Sequence, residues 1–528
     1  MNLLVAITFL PLVGALVLGF VPAYDTKLLR RVALLVTSIV GILGLALWFG
    51  FDGQSADLQK VAESAWFTLP GGSQPIDVHF RLGVDGLSIL MVALTAVLMP
   101  IVVLSSFGHV FERVKEFMIW LMVMEAGMLG VFLSFDLLLF YVFWEVSLVP
   151  LYFIVGIWGG ERRLYATIKF FLYTLAGSLV MLVGVIALIY ATGTTDIGLL
   201  IDRAATLPAA TQTWIFLGFA LAFAIKVPLL PFHTWLADAH TAAPTSGSVL
   251  LAGVLLKMGT YGLLRFCVQL FPETSVAWAP LFMGLGAIGI VYGAFLAMAQ
   301  TDFKRLVACS SVSHLGFVVL GLFAMTQAGL RGSVLQMVNH GISTGMLFLL
   351  VGMIYERRHT RALERFGGIA SVMPVYALFF VITVLSSVGL PGLNGFVGEY
   401  LILLGTFESS ALWACIGVTG VIFGAVYLLV ATRRVLFGPV VHEENQDLPD
   451  MNGREIGIMV PLVILAVWIG VQPRAFLGKT EGSLDLLSER IERARSAHET
   501  RSAQLTLPAG TELDEATSGT NDLAEENQ

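Results

Sequence analysis

Glu145, Lys226, Lys257 and Glu399 each lie within a long apolar stretch, where ionisable side chains are rare. A charge at the centre of a membrane span costs roughly 2.5–3.5 kcal/mol even on the most lenient insertion scale, and is usually retained for transport. Amines and carboxylates are the groups that exchange protons when a partner's charge approaches or leaves. Opposite charges at about 4 Å gain about 4 kcal/mol at an effective dielectric near 20, so opening a buried pair changes which protonation state is favoured. Lys226 is followed by Val227-Pro228-Leu229-Leu230-Pro231-Phe232-His233. The two prolines interrupt the helical hydrogen-bond ladder. Broken backbone at membrane depth is tolerated only inside protein or beside a water-filled cavity. A lysine beside such a break, with Lys257 in the next apolar stretch, is the pattern of a proton or ion path.

Depth separates these residues from other charges. Glu145 lies about 14 Å from Asp136 at the start of its span, and Lys257 about 16 Å from Ser246, at 1.5 Å per residue. Glu399 lies nine residues before Glu408 at the end of its span. All three fall near the middle of an apolar core about 30 Å thick. Lys169 and Arg265, nearer span ends, are expected to snorkel. Glu125 divides evenly between a path residue and a buried hydrogen-bond partner. His233 and His240 follow the break on one face if a helix resumes there, while His314 and His340 stand near Ser311, Ser313, Asn339 and Ser343. Histidines in such settings can carry a hydrogen-bonded water chain. The bland alternatives are a structural ion pair for the charges and a satisfied core residue for the histidines. No carboxylate or cysteine clusters beside the histidines, so no metal site is expected.

Positioning these groups requires many membrane helices. The chain is 57% hydrophobic and only 13% charged, far from the balance of a soluble domain. Apolar stretches give fourteen spans, approximately 3–21, 29–50, 83–107, 117–134, 136–158, 167–191, 213–243, 246–271, 276–300, 305–326, 332–355, 372–408, 410–433 and 455–472. The seventh and twelfth are too long for one straight crossing and contain breakers: Pro228 and Pro231 in one, Pro391-Gly392 and Asn394-Gly395 in the other. Alternate connections hold sixteen lysines and arginines against four on the opposite set. By the positive-inside rule, both termini are expected outside the cytoplasm. Broken spans five apart suggest two five-helix repeats, the second inverted because five is odd, and such paired interruptions point to a transport site. The expected fold is therefore an all-α polytopic membrane protein of about fourteen helices. Its expected organisation is accessory spans in 1–112, a first repeat in 113–271, a second in 272–436, a loop and last span in 437–475, and an acidic tail in 476–528.

Residues 473–528 carry eleven acids against six bases and end in Ser, Thr, Gly and Asn, a composition that reads as disordered. Leu484, Leu487 and Ile491 are spaced for one short amphipathic turn within it. The start, Met1 to Phe20, lacks the positive flank of a signal peptide and reads as an uncleaved span. Cys267, Cys309 and Cys415 are widely separated and read as packing residues. Gly284-Leu285-Gly286-Ala287-Ile288-Gly289 fits a dinucleotide pattern, but has no preceding strand and no acidic residue for a ribose. It reads as a small-residue helix-packing face.

Two stretches carry a resemblance: Phe143-Trp144-Glu145-Val146-Ser147-Leu148-Val149-Pro150, and the run from Lys226-Val227-Pro228-Leu229-Leu230-Pro231-Phe232-His233-Thr234-Trp235-Leu236-Ala237-Asp238-Ala239-His240 through Ser248 to Lys257. From Met1 to about residue 475 the chain resembles the antiporter-like subunits of respiratory complex I (NADH-quinone oxidoreductase), specifically the subunit M or chain 4 branch. The resemblance implies that Glu145 pairs with Lys226, that Lys257 links to the second half, and that Glu399 occupies the outward exit. Relatives of the L and N type carry lysine at that last position, so glutamate favours M. It further implies no cofactor in this chain, with NADH, FMN, iron–sulfur clusters and quinone in partner subunits. Partners would be other membrane-arm subunits, including L and N, within a lipid bilayer and without nucleic acid. The expected location is the cell inner (plasma) membrane, with the mitochondrial inner membrane as the alternative.

Three rival readings remain at the level of sequence. A subunit of a multi-subunit sodium/proton antiporter shares both lysine motifs. The membrane arm of a hydrogen-evolving complex uses the same helices with another electron module. A quinone-binding redox enzyme leaves weak signatures, although the chain contains no P-loop, haem ligand pair or flavin motif.

Overall fold

The computed structural model describes residues 2–71 and 74–506, with backbone only over 501–506. Two apolar helices, α1 (Leu3–Phe20) and α2 (Thr26–Phe49), lead into a feature that sequence reading missed. This is an antiparallel hairpin of β1 (Gln59–Leu69) and β2 (Ile76–Val84), with Thr68 opposite Asp77 and Glu63 opposite Arg81. β2 occupies the start of what reads as the third span, so α3 begins only at Ile89 and runs to Ser106.

The helices α4 (Val114–Leu133), α5 (Leu137–Trp158) and α6 (Arg163–Thr192) follow with short connections. A short helix, α7 (Ile197–Ala205), precedes the seventh crossing. That crossing is broken as the prolines require, into α8 (Ala209–Lys226) and α9 (Thr234–Ala242). Next come α10 (Thr245–Val268), α11 (Pro272–Met298), α12 (Phe303–Ala324) and α13 (Gln327–Arg358). The other long crossing is also two pieces, α14 (Pro374–Val388) and α15 (Asn394–Ser409). α16 (Ala411–Leu436) and α17 (Gly453–Val471) complete the membrane helices. Among the described residues thirteen helices are long and apolar enough to cross a membrane, and the expected twelfth span is divided between the shorter helices α14 and α15. The apolar stretches of α10, α12 and α13 are buried within the chain, whereas those of α2, α16 and α17 are mostly not. Lys257 on α10, His314 on α12 and His340 on α13 therefore sit in the middle of the bundle.

Two expectations are corrected. Arg265 does not snorkel: it is buried, with Nη2 donating to Asp85 Oδ1 at 2.6 Å and Nε to the Tyr261 hydroxyl at 3.1 Å. A buried guanidinium needs a counter-charge, and Asp85 at the entry to α3 provides it. The tail is not disordered over its first half, because α18 (Glu481–Thr506) is a helix whose Leu484, Leu487 and Ile491 are buried. Its polar side is tied down by Ser483 Oγ accepting from Gly86 N, and by Asp485 accepting from Gln327 and Arg331. Averaged acidity concealed an amphipathic stripe. The rest of the tail, 507–528, lies outside the described residues. Of the cysteines, Cys267 and Cys309 are buried, whereas Cys415 is exposed.

Leu484→Ala combined with Leu487→Ala should loosen α18, each substitution costing about 2–5 kcal/mol of docking or folding free energy. Limited proteolysis of the membrane-embedded protein checks this, with cleavage near residue 480 expected in the double variant and protection in the parent.

Candidate functional site

α8 ends at Lys226 because the ladder stops there: Val227 N still reaches Phe223 O, and the backbone then turns. The Trp235 indole Nε1 spans the break and donates to Ile225 O at 3.0 Å, satisfying a carbonyl next to Lys226. The Lys226 ammonium lies 5.4 Å from the Trp144 ring centroid, within cation–π range. Glu145 is the next residue on α5, but no ion pair within 4 Å joins it to Lys226 among the described residues. Lys226 is buried, whereas Glu145 is only partly covered by this chain, and its Oε1 has no hydrogen-bond partner. The two groups remain within electrostatic reach. The implied pair is present as an open neighbourhood.

α10 packs directly against the break. A Cβ placed on Gly259 would lie 2.8 Å from Val227 Cγ2 and 3.1 Å from Lys226 Cβ, so only glycine permits this approach. The helix is π-wound over Leu251–Leu255 and Leu263–Val268, on either side of Lys257. Such turns widen a helix and disturb its regular carbonyl pairing. Lys257 Nζ uses that disturbance by donating to Ala252 O, five residues back, and it also lies 2.5 Å from His340 Nδ1. Its side chain is completely buried.

From His340 the polar groups continue. The His340 and His314 ring centroids are 5.7 Å apart. His314 Nδ1 lies 3.2 Å from Glu399 Oε1, which also accepts from Gln336 Nε2 at 3.2 Å. A cavity of about 10 Å³, room for roughly one water, is lined by these residues together with Ser343, Thr344 and Ser387. The α14–α15 break is held against α13: Asn339 Nδ2 donates to Asn394 O at 2.8 Å, and Asn394 Nδ2 donates to Asn339 O at 3.2 Å. Ser386 donates to Asn394 Oδ1 at 2.5 Å.

The remaining candidates are placed differently. His240 is buried with neither ring nitrogen partnered, stacked on Phe348 at 4.6 Å. His233 meets the Tyr292 ring edge-on at 5.2 Å. Glu125 is fully buried and neither carboxylate oxygen has a hydrogen-bond partner. Ser311 and Ser313 turn to the backbone carbonyls of Val307 and Ile290, away from the histidines. Lys169 does not simply snorkel, because its ammonium donates to Asp238 at 2.8 Å.

Gln336 was missed, yet Gln336, Asn339, His340 and Ser343 follow i, i+3, i+4, i+7 spacing and mark one polar face of α13. Trp144 left no signal beyond adjacency to Glu145. Among the described residues, no group of three or more His, Cys, Asp or Glu is arranged to hold a metal.

Together, Lys257, His340, His314 and Glu399 form a nearly continuous file able to pass a proton, with one water-sized gap. Between Lys226 and Lys257 no direct side-chain hydrogen bond closes the path among the described residues.

Gly259→Ala should force α10 from the break, lowering the midpoint of thermal unfolding by an amount equivalent to about 1–3 kcal/mol. A thiol-reactive or fluorescence melting assay in detergent checks this, and an unchanged midpoint would show that the contact yields freely.

Residues 134–424 match the family model described as NADH:quinone oxidoreductase/Mrp antiporter, transmembrane. The chain is 46% identical to the NADH-quinone oxidoreductase subunit M of Rhodobacter capsulatus, covering 89% of this chain and 93% of that one. It is 39% identical to NADH-ubiquinone oxidoreductase chain 4 of Arabidopsis thaliana, over 88% and 93% of the two chains. A chain of respiratory complex I from Thermus thermophilus with bound NADH superposes with a TM-score of 0.80 at 33% identity, covering 92% of this chain and 99% of that one. With more than half of its length matched to the model and relatives this similar, the chain belongs to the NADH:quinone oxidoreductase/Mrp antiporter transmembrane family.

Proposed function

We propose that this chain is a proton-translocating membrane-arm subunit of NADH:quinone oxidoreductase in the position of subunit M, driven by quinone reduction in other subunits. The observation that carries this reading is the buried file from Lys257 through His340 and His314 to Glu399 beside two broken crossings. The chain acts as a non-redox module. NADH, FMN, iron–sulfur and quinone chemistry belong to partner subunits, among them the related L and N subunits. The complex sits in the bacterial plasma membrane, with both termini of this chain outside the cytoplasm, as the arginine-rich connections favour.

The mechanism is a switchable ion pair. When Glu145 approaches Lys226, the ammonium keeps its proton. When the carboxylate withdraws, the ammonium stands without counter-charge in low dielectric and releases its proton towards Lys257. Lys257 passes it to His340 Nδ1. The imidazoles and cavity water carry it to Glu399, which releases it outward. The open separation of Glu145 from Lys226 suits the withdrawn state of this cycle.

Two inverted five-helix units, 113–271 and 272–436, would supply the matching breaks. Asp136 caps α5 and accepts from His79 N in the hairpin, while Asp302 caps α12 and pairs with Arg361 in an arginine-rich connection. These are equivalent positions in the two units, on opposite faces. A sodium/proton antiporter subunit is the second reading, and transport that depends on sodium would favour it.

Lys226→Ala should reduce coupled pumping by about tenfold or more while the chain inserts and assembles. Normal proton translocation by an assembled variant would remove the residue from the path. Glu145→Gln should do similar damage, with Glu145→Asp retaining part of the activity. Lys257→Arg should not restore what Lys257→Ala loses, because a guanidinium hardly deprotonates.

Glu399→Gln keeps size and hydrogen bonding but removes titration. Proton uptake into vesicles during NADH oxidation should stop, and Glu399→Lys should retain more activity than Gln. Equal pumping by Gln and the parent would leave Glu399 a packing residue.

A further inference from the structure

The half-helix α9 is gripped by charges that the proton file does not use. Its last turn leaves carbonyls at Thr241, Ala242 and Ala243, a helix end that favours cations. Arg361 Nη1 donates to Thr241 O at 2.8 Å, Gly160 N to Ala242 O at 2.8 Å, and Lys304 Nζ to Ala243 O at 2.5 Å. On its flank, Asp238 Oδ2 accepts from Lys169 Nζ at 2.8 Å, and Asp238 Oδ1 stands 3.6 Å from Arg305 Nη1. Lys169 belongs to α6. Lys304 and Arg305 open α12, and Arg361 is tied to the same place through Asp302 at 3.2 Å. α9 is therefore held from 113–271 and from 272–436 at once.

The grip continues to the break. Lys169 Nζ also donates to Thr234 O at 3.1 Å, fixing the first residue of α9. The next residue, Trp235, holds Ile225 O, the carbonyl preceding Lys226. A series of contacts runs from Arg305 by an ion pair at 3.6 Å to Asp238, by hydrogen bonds through Lys169 to Thr234, and by the chain itself to Trp235, which holds the backbone beside Lys226. Charged pairs that are partly dry and shared among several partners form networks with more positional authority than isolated surface pairs.

We propose that Asp238 is a positioning residue, bridging Lys169 and Arg305 so that the segment 272–436 sets where α9, and through Trp235 the Lys226 end of α8, comes to rest. The bridge conveys position between the two units without carrying a proton. It rests on the proton-translocation reading given above. Asp238→Asn removes the charge that holds both cations yet preserves shape, and Arg305→Ala removes only the Asp238 arm of the cross-unit contacts, leaving Lys304 and Arg361 on the α9 carbonyls, at a side chain that is 42% exposed.

The test uses the intact complex in native membrane vesicles, measuring NADH oxidation and protons moved per NADH together. Asp238→Asn should lower the proton ratio by about half or more while electron transfer is largely kept, with partial recovery in Asp238→Glu. Arg305→Ala should lower it in the same direction. The double variant should be no worse than Asp238→Asn, the non-additivity expected of one shared interaction. An unchanged ratio in both single variants overturns the proposal, as does a loss confined to the amount of assembled complex. If Asp238→Asn does not assemble, Arg305→Ala alone decides between these outcomes. Lys226→Ala, run alongside, separates the two failures. A normal ratio there would sink the translocation reading, whereas a collapsed ratio there with normal Asp238→Asn and Arg305→Ala would sink only the bridge.

Discussion

The buried amine of Lys257 constrains more of this structure than any other group. An amine removed from water demands polar partners, and an apolar helix offers it few beyond the second lone pairs of its own carbonyls. That demand is met locally by Ala252 O, within a π-wound turn of α10, and at longer range by His340 on α13 at 2.5 Å. Both contacts lie in the bundle's interior, where the apolar stretches of α10 and α13 are buried.

The broken crossings follow from the same physics. A straight helix would present Lys226 and Glu399 with saturated backbone only. Ending α8 at Lys226 and restarting the chain at Asn394 exposes backbone groups that must then be paired. Trp235 and the Asn339–Asn394 exchange do that pairing. Breaks placed this way remain polar without becoming open to lipid. They also create joints, and beside one of them Lys169 donates to Thr234 O and Asp238 and Arg361 donates to Thr241 O, so both ends of α9 are held by cations.

Much of this was legible in the sequence because the relevant signals are large. Charges in apolar runs, and prolines at Pro228 and Pro231, stand out individually, and they located Lys226, Lys257, Glu399 and both breaks. Two of the failures, Arg265 and the tail, have a common cause: they depend on partners distant in the chain. Arg265 resembled a snorkelling residue until Asp85, 180 residues away, came beside it. The tail's acidity concealed Leu484, Leu487 and Ile491, whose burial depends on surfaces supplied by the rest of the chain. The hairpin was hidden because β1 is exposed along most of its length, with no alternation, and β2 runs into the apolar start of the third span. Glu145 and Lys226 were expected as a closed pair, whereas the structure leaves them apart with Trp144 beside the lysine.

The central claim is that protons reach Glu399 by way of Lys257. Infrared difference spectroscopy of the intact complex, comparing resting and turning-over states, tests it most directly through the carboxylic C=O band of a protonated acid. The account predicts a turnover-dependent band in the parent that disappears in Glu399→Gln and also in Lys257→Met. A band that survives unchanged in assembled Lys257→Met would mean that Glu399 is supplied from elsewhere, and would contradict the account.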